Sequence, residues 1–157
     1  TAFEVHLPAI EGDAAARTEG DGATAAQVPR GRGELVLVVD DEEAVRRSVR
    51  RTLEGHGYRV VAAAHGRDGL AQLAEHRGDV ALVVTDLMMP VMGGPAMVAA
   101  MRHSVPGLPA IGMTGLTDQS ASAEALGMSA LLSKPFSRAA LLEAVHAALA
   151  DSAADRT

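Results

Sequence analysis

The chain has no cysteine and no tryptophan, and its only aromatic residues are Phe3, Tyr58 and Phe136. Without thiols there can be no disulfide and no thiolate-bound metal. With so few rings, the core has to be aliphatic, and 48% apolar residues is enough to build one. An excess of basic charge is also missing. The formal net charge of −6 gives no reason to expect nucleic acid or an anionic membrane as a partner. No apolar run is long enough to cross a bilayer, and no secretory signal is present. These absences leave a soluble, cytoplasmic protein as the expectation. Residues 11–33 are low in large apolar side chains and rich in Ala, Gly, Asp and Arg. Such a stretch cannot bury enough surface to offset its chain entropy, so it is expected to be a flexible linker. Alanine clusters at 14–17 and 23–27 leave partial helix as the alternative. The chain starts with Thr1 and is expected to be a piece of something longer.

From Glu34 onward the pattern is regular. ELVLVVDD, YRVVAAAH, VALVVTD, LPAIGMTG and SALLSKP read as strands. Between and after them, EEAVRRSVRRTLEGHG, GRDGLAQLAEHRG, PAMVAAMRH, DQSASAEALG and SRAALLEAVHAALA read as helices. In the first helix Val45, Val49 and Leu53 recur at i+4, and Gly55 and Gly57 end it. Pro95 opens the third helix and Ser137 caps the last. Strands alternating with helices imply a parallel sheet with helices on both faces, an α/β doubly wound fold. Unbroken Val/Leu strands agree, because such strands are buried on both sides. The domain is expected over 34–150, with 151–157 as a tail.

In this fold ligands bind beyond the carboxyl ends of the strands. Those ends carry Asp40-Asp41, Asp86, Thr114-Gly115 and Lys134-Pro135. Singly, each has an ordinary explanation as a cap, a turn or a strand exit. Jointly they place three carboxylates, a hydroxyl and an ammonium on one rim. Clustered carboxylates repel, and Mg²⁺ is the expected remedy because it favours oxygen ligands. With Lys134, such a site is close to neutral overall and can receive a phosphoryl group. Mg²⁺ and Lys134 would then offset charge on the equatorial oxygens, Thr114 would donate a hydrogen bond, and Asp86 would supply the attacking oxygen.

The motifs VVDDE, TDLMMPVMGG, MTG and LLSKPF, in this order and at this spacing, resemble the receiver domain of two-component response regulators and hybrid histidine kinases. The resemblance runs from Glu34 to about Ala150. It implies a flavodoxin-like five-stranded order 2-1-3-4-5. It implies that Asp86 is the phospho-acceptor, Asp41 a direct Mg²⁺ ligand and Asp40 a ligand acting largely through water. The backbone carbonyl of Met88 completes the protein's share of the metal shell. The resemblance likewise implies that Thr114 is the switch hydroxyl, that Lys134 binds phosphate and that the Lys134–Pro135 peptide is cis. A receiver catalyses its own phosphorylation and dephosphorylation, and its donor is a phosphohistidine on a kinase dimerisation domain or a phosphotransfer protein.

This sequence departs from the family in places. Leu131 stands where an aromatic residue often lies, so it is expected to be a core residue and not a rotameric readout. Met88 and Leu116 are apolar where the family's side chains flank the hydrolytic water, so a long-lived phosphoryl group is expected. DQSASAEALG offers only Ala121, Ala125 and Leu126 to the core and is expected to be weakly held. Arg46, Arg47, Arg50 and Arg51 form a basic face, either solvated and paired with Glu42, Glu43 and Glu54 or helping to dock the donor.

Rival readings fit less well. A haloacid-dehalogenase-like phosphatase would need an acid at Met88, and a flavodoxin-like cofactor site would need a phosphate loop where this chain has Asp-Asp-Glu-Glu. A dinucleotide fingerprint would follow the first strand, whereas Gly31-x-Gly33 precedes it. A stand-alone response regulator and a non-phosphorylated interaction module stay open. Residues 1–10, TAFEVHLPAI, resemble the last strand of a histidine-kinase ATP-binding domain, the alternative being chance alternation. With the linker, they point to the C-terminal receiver of a hybrid sensor histidine kinase. A strand cut from its sheet would be disordered or would pair in trans through residues 2–8.

Overall fold

Leu35–Val39 is a run of five aliphatic residues, and in the computed structural model every one of them is buried. The structure describes residues 27–115 and 122–156. The expected strand at 2–8, the alanine clusters at 14–17 and 23–27 (Gln27 excepted), and Leu116 and Ala121 lie outside that range. Among the described residues the strands are β1 (Leu35–Val39), β2 (Arg59–Ala63), β3 (Val80–Asp86), β4 (Ala110–Thr114) and β5 (Ala130–Ser133). The helices are α1 (Glu43–Glu54), α2 (Gly66–Glu75), α3 (Gly94–Ser104) and α4 (Arg138–Ala154). All strand pairs are parallel, in the order β2-β1-β3-β4-β5. This is the expected doubly wound sheet.

Period-two alternation sends each strand's side chains into two cores. Leu35, Leu37 and Val39 join Val83, Met97, Val98 and Met101 in the layer beneath α2 and α3. Val36 and Val38 join Leu82, Val84, Ile111, Leu141 and Leu142 in the layer beneath α1 and α4. The i+4 pair Val49 and Leu53 is the buried stripe of α1. Gly57, at φ +89°, turns the chain out of that helix. Ser137 caps α4 as expected, its hydroxyl accepting from the Ala140 amide at 3.0 Å. α4 runs past Ala150 to Ala154, because Asp151–Ala154 contains nothing that breaks a helix.

One expected helix does not form over its described part. Residues 123–127 are turns. The Leu126 amide donates to Ala123 at 3.1 Å, the Gly127 amide to Glu124 at 3.1 Å and the Met128 amide back to Ala123 at 2.8 Å. Gly127 closes the segment at φ +66°. The sequence there, Ala-Glu-Ala-Leu-Gly, has one large apolar residue, Leu126, which packs on the core but is too little to hold a helix against the sheet. Ala123 and Met128 are buried in the core instead, and Ala125 is exposed. Leu131 is partly buried and packs on the α2/α3 layer, a core position as expected.

At the start of the domain, the Gly31 and Gly33 amides donate to the His56 and Gly57 carbonyls at 2.8 and 2.9 Å. A Cβ at Gly31 would lie 2.5 Å from the Tyr58 ring, so only glycine permits this contact.

Candidate functional site

The ladders of the sheet extend one residue beyond β1 and β5. The Asp40 amide donates to Ala63 at 3.2 Å, and the Lys134 amide donates to Thr114 at 2.7 Å. Alternation therefore continues into the rim. Asp40 follows Val36 and Val38, Asp86 follows Leu82 and Val84, and Lys134 follows Leu132, all in the rows facing α1 and α4. Thr114 belongs to the other row, after Ala110 and Gly112.

Asp40 is 0% exposed and Asp86 and Thr114 each 6%, so the charges meet in a nearly dry setting. Asp41 is exposed. The Lys134 Nζ lies 2.8 Å from Asp40 Oδ2, 3.4 Å from Asp86 Oδ2 and 3.8 Å from Glu42 Oε1. Burial, and then the charge of Asp40, hold the Asp86 carboxyl above its ordinary pKa, although Lys134 and the Met88 amide pull the other way. Burial works against the Lys134 ammonium, but its hydrogen bond to Asp40 and the charges of Asp40 and Asp86 outweigh that and raise its pKa.

Every residue expected to take part in phosphoryl transfer or to hold the metal lies among the described residues. Asp40, Asp41, Asp86 and Lys134 are brought together. One oxygen from each of the three aspartates lies within 4.8 Å of the others. The donors are all oxygen, which suits a hard dication, and Asp40 and Asp86 are buried while Asp41 leaves the cluster open to solvent. The residues therefore fit Mg²⁺. Thr114 is at the rim, and its hydroxyl donates to the Gly115 carbonyl at 3.0 Å. The Met88 amide donates to Asp86 Oδ1 at 3.4 Å while its side chain stands in solvent. The Lys134–Pro135 peptide is cis.

Two contacts were not foreseen. The Glu42 amide donates to Asp40 Oδ1 at 2.8 Å, and the Arg46 guanidinium donates to the Asp40 carbonyl at 2.6 Å. Both fix the carboxylate by holding its backbone and lone pair. Two more members of the basic face pair within the helix, Arg47 with Glu43 at 2.5 Å and Arg50 with Glu54 at 2.9 Å. Only the acidic opening of α1 signalled these contacts, and it does not say which way each side chain turns.

Residues 36–146 match the family of the response regulator receiver domain, and the chain belongs to it. It is 39% identical over 105 residues to the sensor kinase CckA of Brucella abortus, covering 65% of this chain and 11% of that protein. It is 38% identical over 116 residues to the response regulator MprA of Mycolicibacterium vanbaalenii, covering 73% of this chain and 49% of that one. The chain thus spans half or less of these curated relatives. Among solved structures, the CheY-like receiver domain protein of Methanospirillum hungatei superposes with a TM-score of 0.71 at 28% identity, over 78% of this chain and 98% of that one. Among the described residues no helix is long and apolar enough to cross a membrane.

Proposed function

We propose that Asp86 accepts a phosphoryl group from a phosphohistidine in a Mg²⁺-dependent reaction. The observation that carries this reading is the Lys134 ammonium bridging two nearly buried carboxylates, Asp40 at 2.8 Å and Asp86 at 3.4 Å, beside an exposed third. An Asp86 oxygen forms the new bond to phosphorus as the phosphorus–nitrogen bond breaks, and the imidazole nitrogen keeps the electron pair. Lys134 offsets charge on the transferred oxygens, and Thr114 donates to one of them after leaving the Gly115 carbonyl. Asp41 and Asp86, with Asp40 through water and the Met88 carbonyl, would hold a Mg²⁺ ion, which would supply further positive charge. Apolar Met88 offers an attacking water no hydrogen bond, which favours a long phosphoryl lifetime.

The wider context we infer is the C-terminal module of a cytoplasmic hybrid sensor histidine kinase. The likeness to the sensor kinase CckA and the strand-like TAFEVHLPAI supports it. The likeness to MprA favours a response regulator outside any kinase chain as the second reading. Incubation with radiolabelled phosphoramidate and Mg²⁺ tests the central claim. An alkali-labile label is expected on the native chain and none on Asp86→Asn or after chelation. A label that survives Asp86→Asn would refute it. Recovering the coding sequence upstream of Thr1 decides between the two contexts.

A further inference from the structure

Met88 is two residues from Asp86 and is tied to it by its amide, 3.4 Å from Oδ1. Its side chain is 72% exposed, whereas Met97, Met101, Met113 and Met128 are at most 6% exposed. Met89 and Met92 pack against the α2/α3 core. Among the described residues Met88 is therefore the thioether most open to solvent, and it stands at the mouth of the candidate site. A thioether is apolar and a feeble acceptor, whereas its sulfoxide is a strong one, and oxidation susceptibility follows exposure.

We propose that Met88 is a redox modification site whose oxidation shortens the life of the phosphoryl group on Asp86. A peroxide is the oxidant. The sulfur lone pair takes one peroxide oxygen as the O–O bond breaks. The thioether is oxidised by two electrons to the sulfoxide, and hydrogen peroxide is reduced to water. The new S–O oxygen, on a flexible three-bond side chain, accepts a hydrogen bond from a water and turns its lone pair toward phosphorus. Met88 is exposed, so oxidation there adds polarity without disturbing either core. This inference rests on Asp86 being the acceptor.

The test treats the chain with dilute hydrogen peroxide, maps oxygen gain by peptide mass spectrometry, and follows decay of the phosphoramidate-derived label. Met88 is expected to gain oxygen first, with no change in melting temperature. The half-life of the label should fall about fivefold, equivalent to about 1 kcal/mol in the barrier. Methionine sulfoxide reductase should restore it. Decay in Met88→Leu should be indifferent to peroxide, and Met88→Gln should decay fast without it. Earlier oxidation of other described methionines, unchanged decay after complete Met88 oxidation, or an equal response in Met88→Leu would each overturn the inference. Absence of label on untreated protein would instead overturn the acceptor reading, and this inference with it. Normal labelling with peroxide-independent decay would overturn this inference alone.

Discussion

The layer beneath α1 and α4 is filled with Val36, Val38, Leu53, Leu82, Ile111, Leu141 and Leu142. The layer beneath α2 and α3 relies more on Met97, Met101, Met128, Ala110 and Ala123, and on Gly69 and Gly112, where an added Cβ would press on neighbouring side chains. Branched aliphatics have few rotamers and fix their surroundings, while methionine has three flexible bonds and fills irregular gaps. The site divides along the same line. Asp40, Asp86 and Lys134 continue the rows of the aliphatic layer, and Thr114 continues a row of the methionine layer. Fixed charge sits on the stiff side and the hydroxyl on the adjustable side.

Truncation on each side tests that difference most strongly. Leu142 is 0% exposed and Met128 6%. Leu142→Ala should cost about 3–4 kcal/mol and Met128→Ala about 2 kcal/mol, read from urea unfolding. Met128→Leu should cost less than about 1.5 kcal/mol. Equal losses for the two alanine variants would dissolve the distinction.

The charges supply the next test. The Asp86 pKa is raised above its ordinary 3.8, so the folded chain holds that proton more tightly than the unfolded one. The stabilisation from this group is complete below 3.8 and is lost as pH rises through the folded value. Ionised Asp86 thus weakens the metal-free fold at neutral pH. Asp86→Asn should be the more stable protein at pH 7, with the gap closing as pH falls through the folded value and closed below 3.8. Mg²⁺ at about a hundred times its dissociation constant should add about 2.7 kcal/mol to the native chain and little to the variant. A gap that ignores both pH and Mg²⁺ would place the strain elsewhere.

How much of this was legible depended on apolar runs. VVDD, VVTD and LLSK showed where strands stop and which polar groups the rim collects, so the convergence of Asp40, Asp41, Asp86 and Lys134 followed from topology. The turns at 123–127 were not legible, because Ala, Glu and Leu suit a helix locally while the lack of a full apolar stripe decides against it. The contacts of Glu42 and Arg46 with Asp40 depend on the angle at which α1 leaves the strand, which no spacing encodes. Nor did anything mark Val91, since a β-branched residue is the least expected occupant of a left-handed position.

Gly112 probes the adjustable layer from within β4. A Cβ there would lie 2.6 Å from Leu131 Cδ2, 2.7 Å from Met128 Sδ and 2.9 Å from Leu87 Cδ2. All three are tips of flexible side chains, which can move aside. Gly112→Ala should therefore cost only about 1.5 kcal/mol, near the low end for overpacking. Gly94→Ala provides the contrast. Its Cβ would strike the backbone oxygen of Asp86, which cannot yield, so a larger loss and impaired labelling are expected.

Val91 gives the smallest effect and the sharpest test of independence. Its φ is +70° and its side chain 75% exposed, so it sits in left-handed backbone with little packing in return. The loop is held there by the Met92 amide on the Pro90 carbonyl at 2.8 Å and the Gly66 amide on the Met92 carbonyl at 3.1 Å. These bonds tie it to α2 and the methionine layer. Strain of this kind costs about 1–3 kcal/mol. Glycine relieves it but adds about 0.5–1 kcal/mol of chain entropy. Val91→Gly should therefore stabilise the fold by about 1 kcal/mol in thermal or urea unfolding. If the two layers act separately, combining it with Leu142→Ala should give additive changes within about 0.5 kcal/mol. A larger coupling would mean that the loop after Asp86 transmits packing across the sheet, and the division between stiff and adjustable sides would then end at the rim.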